Sequence, residues 1–107
     1  MTDKALGLIG IARKAGHIVV GDPILGEVRR GKVCAILLAA DAAENTRRRA
    51  RNWSLGGTIP ILALSYDKET LGAVLGRTTC AMAAITDEGL RDELRRRLEA
   101  SVKEDTE

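Results

Sequence analysis

The spacing of apolar residues along the chain changes repeatedly between a helical and an extended pattern. The first helical pattern predicts a helix that ends at Gly16 and buries one face, formed by Leu8, Ile11, Ala12 and Ala15. Residues 17–20 then predict a short extended segment. Asp22 and Pro23 predict the start of a second helix running to about Gly31, because Asp suits the N-cap and Pro the first helical turn.

Three later segments have the composition of strands. Residues 33–40 are continuously apolar, which predicts a central strand buried on both faces. Residues 59–64 and 80–85 predict two more strands, with Pro60 near the start of the first, where a missing backbone amide costs least. Together with the segment at 17–20, the chain therefore supplies about four strands.

The stretches between and after these strands predict three further helices. Asp41 and Glu44 have the spacing of a capping pair, which predicts a third helix ending near the glycine pair 56–57. This helix is expected to bury a stripe formed by Ala43, Ala50 and Trp53.

A short fourth helix is predicted to begin at Ser65 or Asp67 and to stop near Gly76, and a fifth to begin at Thr86 or Asp87. The fifth helix is expected to bury a stripe of Leu90, Leu94, Leu98 and Val102. Its outer face is expected to form two i,i+4 ion pairs, Asp92 with Arg96 and Glu93 with Arg97.

Helices and strands that alternate, joined by short connections, predict an α/β protein. The expected architecture is a three-layer α/β/α sandwich, with an approximately four-stranded sheet covered by helices on both faces. Residues 1–102 are expected to form a single domain and residues 103–107 a frayed tail.

Composition narrows the class of protein. Hydrophobic residues make up 45% of the chain and charged residues 30%, as in an ordinary domain that buries one core. No apolar run reaches the ~20 residues that span a bilayer, and the first residues lack the layout of a signal peptide. We therefore expect a monomeric protein of the cytoplasm with no membrane partner. Cys34 and Cys80 are expected to be reduced core thiols.

No set of residues argues for catalysis. His17 is the single histidine, which excludes a metal site with two histidines, and no Ser or Cys lies in a nucleophile elbow. Residues 26–33 resemble a phosphate-binding P-loop, but Val33 replaces the Ser or Thr that would bind magnesium, and the segment ends a helix instead of opening one. We expect no metal, no cofactor and no enzymatic activity.

Positive charge is concentrated in the first half of the chain. The net charge is +2, yet residues 1–55 carry ten Lys and Arg against five Asp and Glu, whereas residues 56–107 carry seven against ten. The third helix holds the densest basic group, Arg47, Arg48, Arg49 and Arg51, and a second group surrounds the end of the second helix, Arg29, Arg30 and Lys32. These groups indicate either a surface for a polyanion or a solvated face without a partner.

Two polar loops add to the polyanion hypothesis. Gly21-Asp22-Pro23 places backbone N–H groups at a helix start, where phosphates and base edges bind, and residues 76–79 place Arg77 in a second loop. In an α/β sandwich both loops are expected at the same end of the sheet, where ligands collect. Aromatic residues make up only 2% of the chain, which excludes the base-stacking platforms of many RNA-binding sheets.

A series of short motifs occurs in a familiar order between residues 5 and 99: Ala12–Gly16, Gly21, Gly31-Lys32, Leu38–Thr46, Ile59-Pro60, Leu71–Arg77 and Ala84–Asp87. This ordered set resembles the archaeal ribosomal kink-turn-binding protein family, and most closely its bacterial ribosomal-protein-like branch. The resemblance implies an α/β/α sandwich that binds RNA without a cofactor. The typical RNA is a kink-turn, an asymmetric internal loop with tandem G·A pairs.

The resemblance also implies three contact segments, carried over by position as Gly21, Asp22 and Pro23, then Asp41, Ala42 and Ala43, then Arg77, Thr78 and Thr79. Pro23, Ile24 and Glu27 stand where kink-turn binders typically have Asn or Lys, Glu or Gln, and Lys. One hypothesis is therefore a protein that binds ribosomal or other structured RNA, with added phosphate contacts from Arg29, Arg30, Lys32, Arg47, Arg48 and Arg51. The alternative is a protein-interaction module on the same fold, which would expose an apolar patch.

Overall fold

The computed structural model describes residues 3–105, and the side chains of residues 3–100. Helices and strands alternate along the chain as expected: α1 (Lys4–Lys14), β1 (Ile18–Val20), α2 (Pro23–Arg29), β2 (Ala35–Leu38), α3 (Glu44–Trp53), β3 (Ile61–Ala63), α4 (Lys68–Val74), β4 (Met82–Ile85) and α5 (Glu88–Asp105). Each predicted element is present, and the strands are shorter than the apolar runs that predicted them.

The four strands form one mixed sheet in the order β1-β4-β2-β3. Strand β4 runs antiparallel to both of its neighbours, with Ala83 opposite Val20 of β1 and opposite Leu37 of β2. Strand β3 runs parallel to β2, with Ala63 opposite Leu38. All four positions of β2 and of β4 are buried, because these two strands occupy the centre of the sheet.

The sheet separates two hydrophobic cores, because successive side chains of a strand point to opposite faces. On one face Leu37 and Ala83 pack with residues of α1, α4 and α5, among them Leu94. On the other face Ile36 and Ala84 pack with residues of α2 and α3. The structure is thus the predicted three-layer α/β/α sandwich.

Acidic side chains cap three of the helices. Asp3 accepts hydrogen bonds from the amides of Ala5 and Leu6 at the start of α1, and Asp67 accepts one from Thr70 in α4. Asp87 accepts one from Leu90 in α5. Helix α2 ends at Arg29, and the chain leaves it through Gly31, whose φ of 73° is the left-handed conformation that glycine adopts most easily. The segment 26–33 therefore ends a helix and precedes a strand, whereas a P-loop follows a strand and opens a helix.

Of the other two predicted caps, one is formed in position only and one is wrong. Asp22 is the N-cap residue of α2, with Pro23 after it, but its side chain makes no capping hydrogen bond. The N-cap of α3 is Ala43, without a side-chain hydrogen bond. Asp41 instead accepts a hydrogen bond from the backbone amide of Lys68, at 2.8 Å. The spacing of Asp41 and Glu44 suits a local cap, but the amide that donates to Asp41 belongs to the first residue of α4.

Several predicted side-chain positions also differ. The buried face of α1 consists of Ala5, Leu8, Ile9 and Ala12, and Ile11 is 56% exposed. In α3 only Ala50 is fully buried; Trp53 is half-buried and Ala43 is exposed. In α5 Glu93 pairs with Arg97 as predicted, but Asp92 pairs with its neighbour Arg91 instead of Arg96.

The C-terminal helix α5 is described as far as Asp105, which includes the first residues of the expected frayed tail at 103–107. Residues 106–107 and the side chain of Val102 lie outside the described part. The single-domain assignment of residues 1–102 stays a prediction. Over residues 3–105 no helix is both long and apolar enough to cross a membrane.

Candidate nucleic-acid interface

Four loops converge on one end of the sheet. Because β4 is antiparallel to its neighbours, its first residue, Met82, lies opposite Leu38 at the last position of β2, and Ala83 lies opposite Val20 at the last position of β1. Parallel β3 ends beside β2 at the same edge. The loops that follow β1, β2 and β3 and the loop that precedes β4 therefore meet there. We call this edge the rim, comprising residues 21–23, 39–43, 64–67 and 75–81.

Hydrogen bonds between the loops hold the rim together. The Ala40 amide donates to the Tyr66 carbonyl at 2.7 Å, and the Ala39 amide donates to the Ala81 carbonyl at 2.9 Å. The Cys80 amide donates to the Lys68 carbonyl at 2.9 Å, and the Lys68 amide donates to the Asp41 carboxylate. The loops after β2 and β3 and the loop before β4 are thus fixed by segments remote from them in sequence.

Tyr66 ties the rim to the first helix. Its hydroxyl donates to the carboxylate of Asp3 at 2.6 Å, and that carboxylate also caps α1. The hydrogen bond from Tyr66 is the largest cause that lowers the pKa of Asp3. Burial, followed by the hydrogen bond to Asp3, raises the pKa of Tyr66. Both shifts favour the anionic Asp3 and the neutral Tyr66, so this contact persists at neutral pH.

The structure places all nine residues implied by the resemblance on the rim. Gly21, Asp22 and Pro23 are exposed in the turn after β1, where Gly21 has a φ of 78°. Asp41 and Ala43 are exposed, whereas Ala42 is 7% exposed, and its backbone amide and carbonyl bind Ala39 and Arg47. The third segment is also exposed, at Arg77, Thr78 and Thr79.

The third segment packs closely on α4. A Cβ at Gly72 would lie 2.7 Å from the Cα of Thr79, so only glycine allows the loop to approach the helix this closely. The Arg77 amide donates to the Gly72 carbonyl at 2.8 Å. The guanidinium of Arg13 lies against Gly76 and adds a second cation beside Arg77. Sequence reasoning left Arg13 out of the site, because its position at the end of α1 already explained a basic residue.

The arginines of α3 differ in what they contact. Arg47 donates to the carbonyls of Ala40 and Ala42, and Arg51 forms an ion pair with Glu44 at 2.8 Å. The guanidinium groups of these two residues are therefore already engaged within the protein, that of Arg51 by Glu44 and that of Arg47 by the preceding loop. Their contact with RNA stays a prediction. Arg51 is also the largest cause that lowers the pKa of Glu44.

Two arginines of α3 point to solvent. Ala50 faces the core, and at 100° per residue Arg48 lies almost opposite to it, with Arg49 on the flank. Both side chains are exposed, and within the described residues neither has a carboxylate at ion-pair distance. Arg49 was not among the predicted RNA contacts, although it has the same exposure as Arg48.

The basic group around the end of α2 is not on the rim. Helix α2 begins at the rim and runs away from it, so Arg29, Arg30 and Lys32 lie toward the opposite end of the sheet, where Cys34 pairs with the end of β4. Arg30 also forms an ion pair with Glu27 at 2.8 Å. These three residues, predicted as phosphate contacts, therefore lie away from the loops that the resemblance implies as RNA contacts.

The end of the sheet away from the rim carries an open cleft of about 600 Å³, lined in part by Glu27, Lys32, Cys34 and Glu88. His17 lies near it, with Nε2 4.0 Å from a carboxylate oxygen of Asp87. Among the described residues no group of three or more His, Cys, Asp or Glu side chains is arranged to hold a metal ion. Both cysteines are free thiols, as expected, but only Cys80 is buried; Cys34 is partly exposed.

No family model matches the chain. It is 31% identical over 67 residues to RNA-binding protein YlxQ of Enterococcus faecium, an alignment that covers 62% of this chain and 65% of that protein, just under two thirds. It is 27% identical over 88 residues to RNA-binding protein YlxQ of Bacillus subtilis (strain 168), covering 81% of this chain and 87% of that protein.

Two solved structures share the fold. A protein of unknown function from Bacillus halodurans superposes with a TM-score of 0.83 at 22% identity, covering 92% of this chain and 99% of that one. The Giardia lamblia 15.5kD RNA binding protein superposes with a TM-score of 0.69 at 20% identity, covering 89% and 82%. The chain is therefore similar to bacterial proteins named for RNA binding, and none of these relatives is archaeal.

Proposed function

We propose that this protein is a non-enzymatic RNA-binding protein and that the rim is its RNA-binding surface. The observation that carries the proposal is the convergence of the segments 21–23, 41–43 and 77–79 on one edge of the sheet, although they are far apart in sequence. The names of the YlxQ relatives and of the Giardia protein support the same function.

Cations lie on both sides of the rim in the proposed mode of binding. Arg48 and Arg49 belong to the α2–α3 layer, while Arg13 and Arg77 belong to the layer of α1 and α4. Two phosphate-binding groups on each side would hold an RNA backbone that crosses the rim, and loop backbone groups would contact base edges or sugars. Arg29, Arg30 and Lys32 take no part in this mode.

The RNA we propose is a structured RNA of the kink-turn type, such as a segment of ribosomal RNA, bound by a single chain in the cytoplasm. Two differences from typical kink-turn binders limit the contribution of α2 to RNA recognition. Ile24 is completely buried, and Glu27 is paired with Arg30. Neither side chain reaches the RNA, so recognition relies on the backbone of the rim and on the arginines beside it.

The test is an anisotropy titration with a fluorescein-labelled kink-turn hairpin, a continuous duplex of equal length as the competitor, and salt varied from low to physiological. We expect binding to the kink-turn with a slope of log K against log salt of roughly −3, from about four phosphate contacts. Equal affinity for the duplex would reduce the function to phosphate binding without selectivity.

Absence of RNA binding at low salt would contradict the proposal and favour the protein-interaction alternative. That alternative requires a continuous apolar patch. Among the described residues the two exposed large apolar side chains, Ile11 and Leu55, belong to helical layers on opposite sides of the sheet. Light scattering on the same samples, which reports self-association, would complete the test.

A further inference from the structure

We propose that Arg47 is a positioning residue that holds the β2–α3 loop in its RNA-binding conformation, and that it does not itself contact RNA. This inference rests on the proposed RNA-binding function. It goes beyond that function because it gives a specific task to the one α3 arginine that turns back toward the rim.

The geometry shows what Arg47 binds. Its Nε donates to the Ala42 carbonyl at 3.0 Å, and one terminal nitrogen donates to the Ala40 carbonyl at 2.8 Å. The planar guanidinium presents these N–H groups in a fixed fork, so a single side chain bridges two carbonyls of one loop. Hydrogen bonds from a charged donor are the stronger kind, which makes this bridge a firm local constraint.

The bridge sets the direction of two backbone amides. In a trans peptide the C=O and the following N–H point in opposite directions. Because the carbonyls of Ala40 and Ala42 point to Arg47, the N–H groups of Asp41 and Ala43 point away from it. Neither amide donates to another described residue, and both residues are exposed. Arg47 thus turns two donors outward at the edge proposed to meet RNA.

The rest of the loop is held from the opposite side. The Ala40 amide donates to Tyr66, and the carboxylate of Asp41 accepts from the Lys68 amide. These contacts anchor residue 40 to the β3–α4 connection and residue 41 to the first residue of α4. Arg47 anchors the loop to α3. With both anchors present, the loop meets the RNA already ordered, which lowers the entropy lost on binding.

The experiment compares Arg47→Lys with Arg48→Ala, the matched control on the solvent side of the same helix. Lysine keeps the charge but lacks the planar fork. We expect Arg47→Lys to weaken RNA binding about tenfold, which corresponds to a loop in its competent conformation about a tenth of the time. The slope of log K against log salt is expected to stay that of the wild type. Arg48→Ala is expected to reduce that slope by about 0.7–0.9, the loss of one phosphate contact.

Hydrogen exchange measured in the free protein tests the positioning role of Arg47 independently of RNA binding. Arg47→Lys is expected to speed exchange of the Ala40 and Ala42 amides, while amides of β2 and β4 keep wild-type rates. Arg47→Gln, whose shorter side chain has one donor nitrogen in place of the two that Arg47 uses, is a second variant with the same expected exchange pattern. Unchanged exchange of residues 40–42, wild-type affinity in Arg47→Lys, or a reduced salt slope in either variant would overturn the positioning role. Failure of the wild type to bind RNA would instead reject the proposed function.

Discussion

The two arginine-rich helices, α3 and α5, use the same residue type in opposite ways. In α5 Glu93 binds both Arg96 and Arg97, and Asp92 binds Arg91. In α3 the described carboxylates supply only Glu44, which binds Arg51. The arginines of α5 are thus largely neutralised on their own helix, whereas Arg48 and Arg49 of α3 have no carboxylate at ion-pair distance among the described residues.

The helices also differ in how they are anchored. Helix α5 has 18 residues and buries Leu94 against the sheet, while α3 has 10 residues and fully buries only Ala50. Arginine density alone therefore does not mark a binding surface. The number of nearby carboxylates and the amount of apolar side chain in the core distinguish a helix whose arginines are paired from one whose arginines are left exposed.

The largest expected effect concerns the core of α5. Leu94→Ala removes a side chain that is 1% exposed, so we expect the free energy of unfolding to fall by about 2–5 kcal/mol. The α3 double variant Arg48→Ala/Arg49→Ala, measured in the same urea titration, is expected to change it by less than about 0.5 kcal/mol. Equal losses in the two variants would show that α3 arginines stabilise the fold.

The next effect concerns RNA affinity. Arg48→Ala/Arg49→Ala is expected to weaken binding about tenfold and to reduce the salt slope by about 1.4–1.8, because two phosphate contacts are lost. The control is Arg95→Ala/Arg96→Ala in α5, which changes the net charge equally. We expect less than about twofold weakening for it, since only long-range attraction is reduced. If the two double variants weaken binding alike, the α3 surface has no special role.

A smaller effect, and one of opposite sign, is expected at the ion pair of α3. Glu44→Gln removes a negative charge beside the basic face and releases Arg51, so RNA affinity at low salt should rise about two- to threefold. The matched change Glu93→Gln in α5 should leave affinity unchanged. Anisotropy titrations of both variants decide the point, and a weaker complex for Glu44→Gln would contradict it.

The smallest expected effect is a change in the pKa of Glu44 when RNA binds. Arginine partners lower the pKa of both Glu44 and Glu93 in the free protein. Any stability from these pairs is therefore present above the ordinary carboxyl pKa and is lost as the pH falls through the lowered values. If RNA draws Arg51 away, the pKa of Glu44 should rise toward its ordinary value in the complex while that of Glu93 stays constant. Carbon-detected NMR titration of the side-chain carboxyls measures both.

The architecture could be predicted from the sequence because local signals agree with the tertiary fold. The apolar run at 33–40 is a central strand, and Asp67 and Asp87 begin helices as their positions indicated. Periodicity could not separate Ile11 from Ile9 on α1, since both neighbour the apolar stripe and only packing against α4 and α5 decides which is buried. Asp41 was misassigned for a related reason, because its partner amide comes from another loop.

The candidate site was predictable in part. Its nine rim residues came from a family resemblance, and the antiparallel orientation of β4, which brings the third segment to the rim, has no local signature in the sequence. The count of basic residues did not show which of them are already paired within the protein. Arg30 pairs with Glu27, Arg51 pairs with Glu44, and Arg47 binds backbone carbonyls. Whether a guanidinium group is paired within the protein depends on its rotamer and on the path of neighbouring loops, and sequence spacing determines neither.

The insertion of β4 between β1 and β2 has a consequence for synthesis of the chain. The first strand has β4 as its neighbour in the sheet, so residues 18–20 lack a pairing partner until residues 83–85 have been translated. A nascent or truncated chain that ends before residue 80 exposes one edge of β2 as well, and unpaired edges of this kind promote aggregation. Productive folding therefore awaits the last strand, and premature termination should yield an insoluble fragment instead of a smaller working protein.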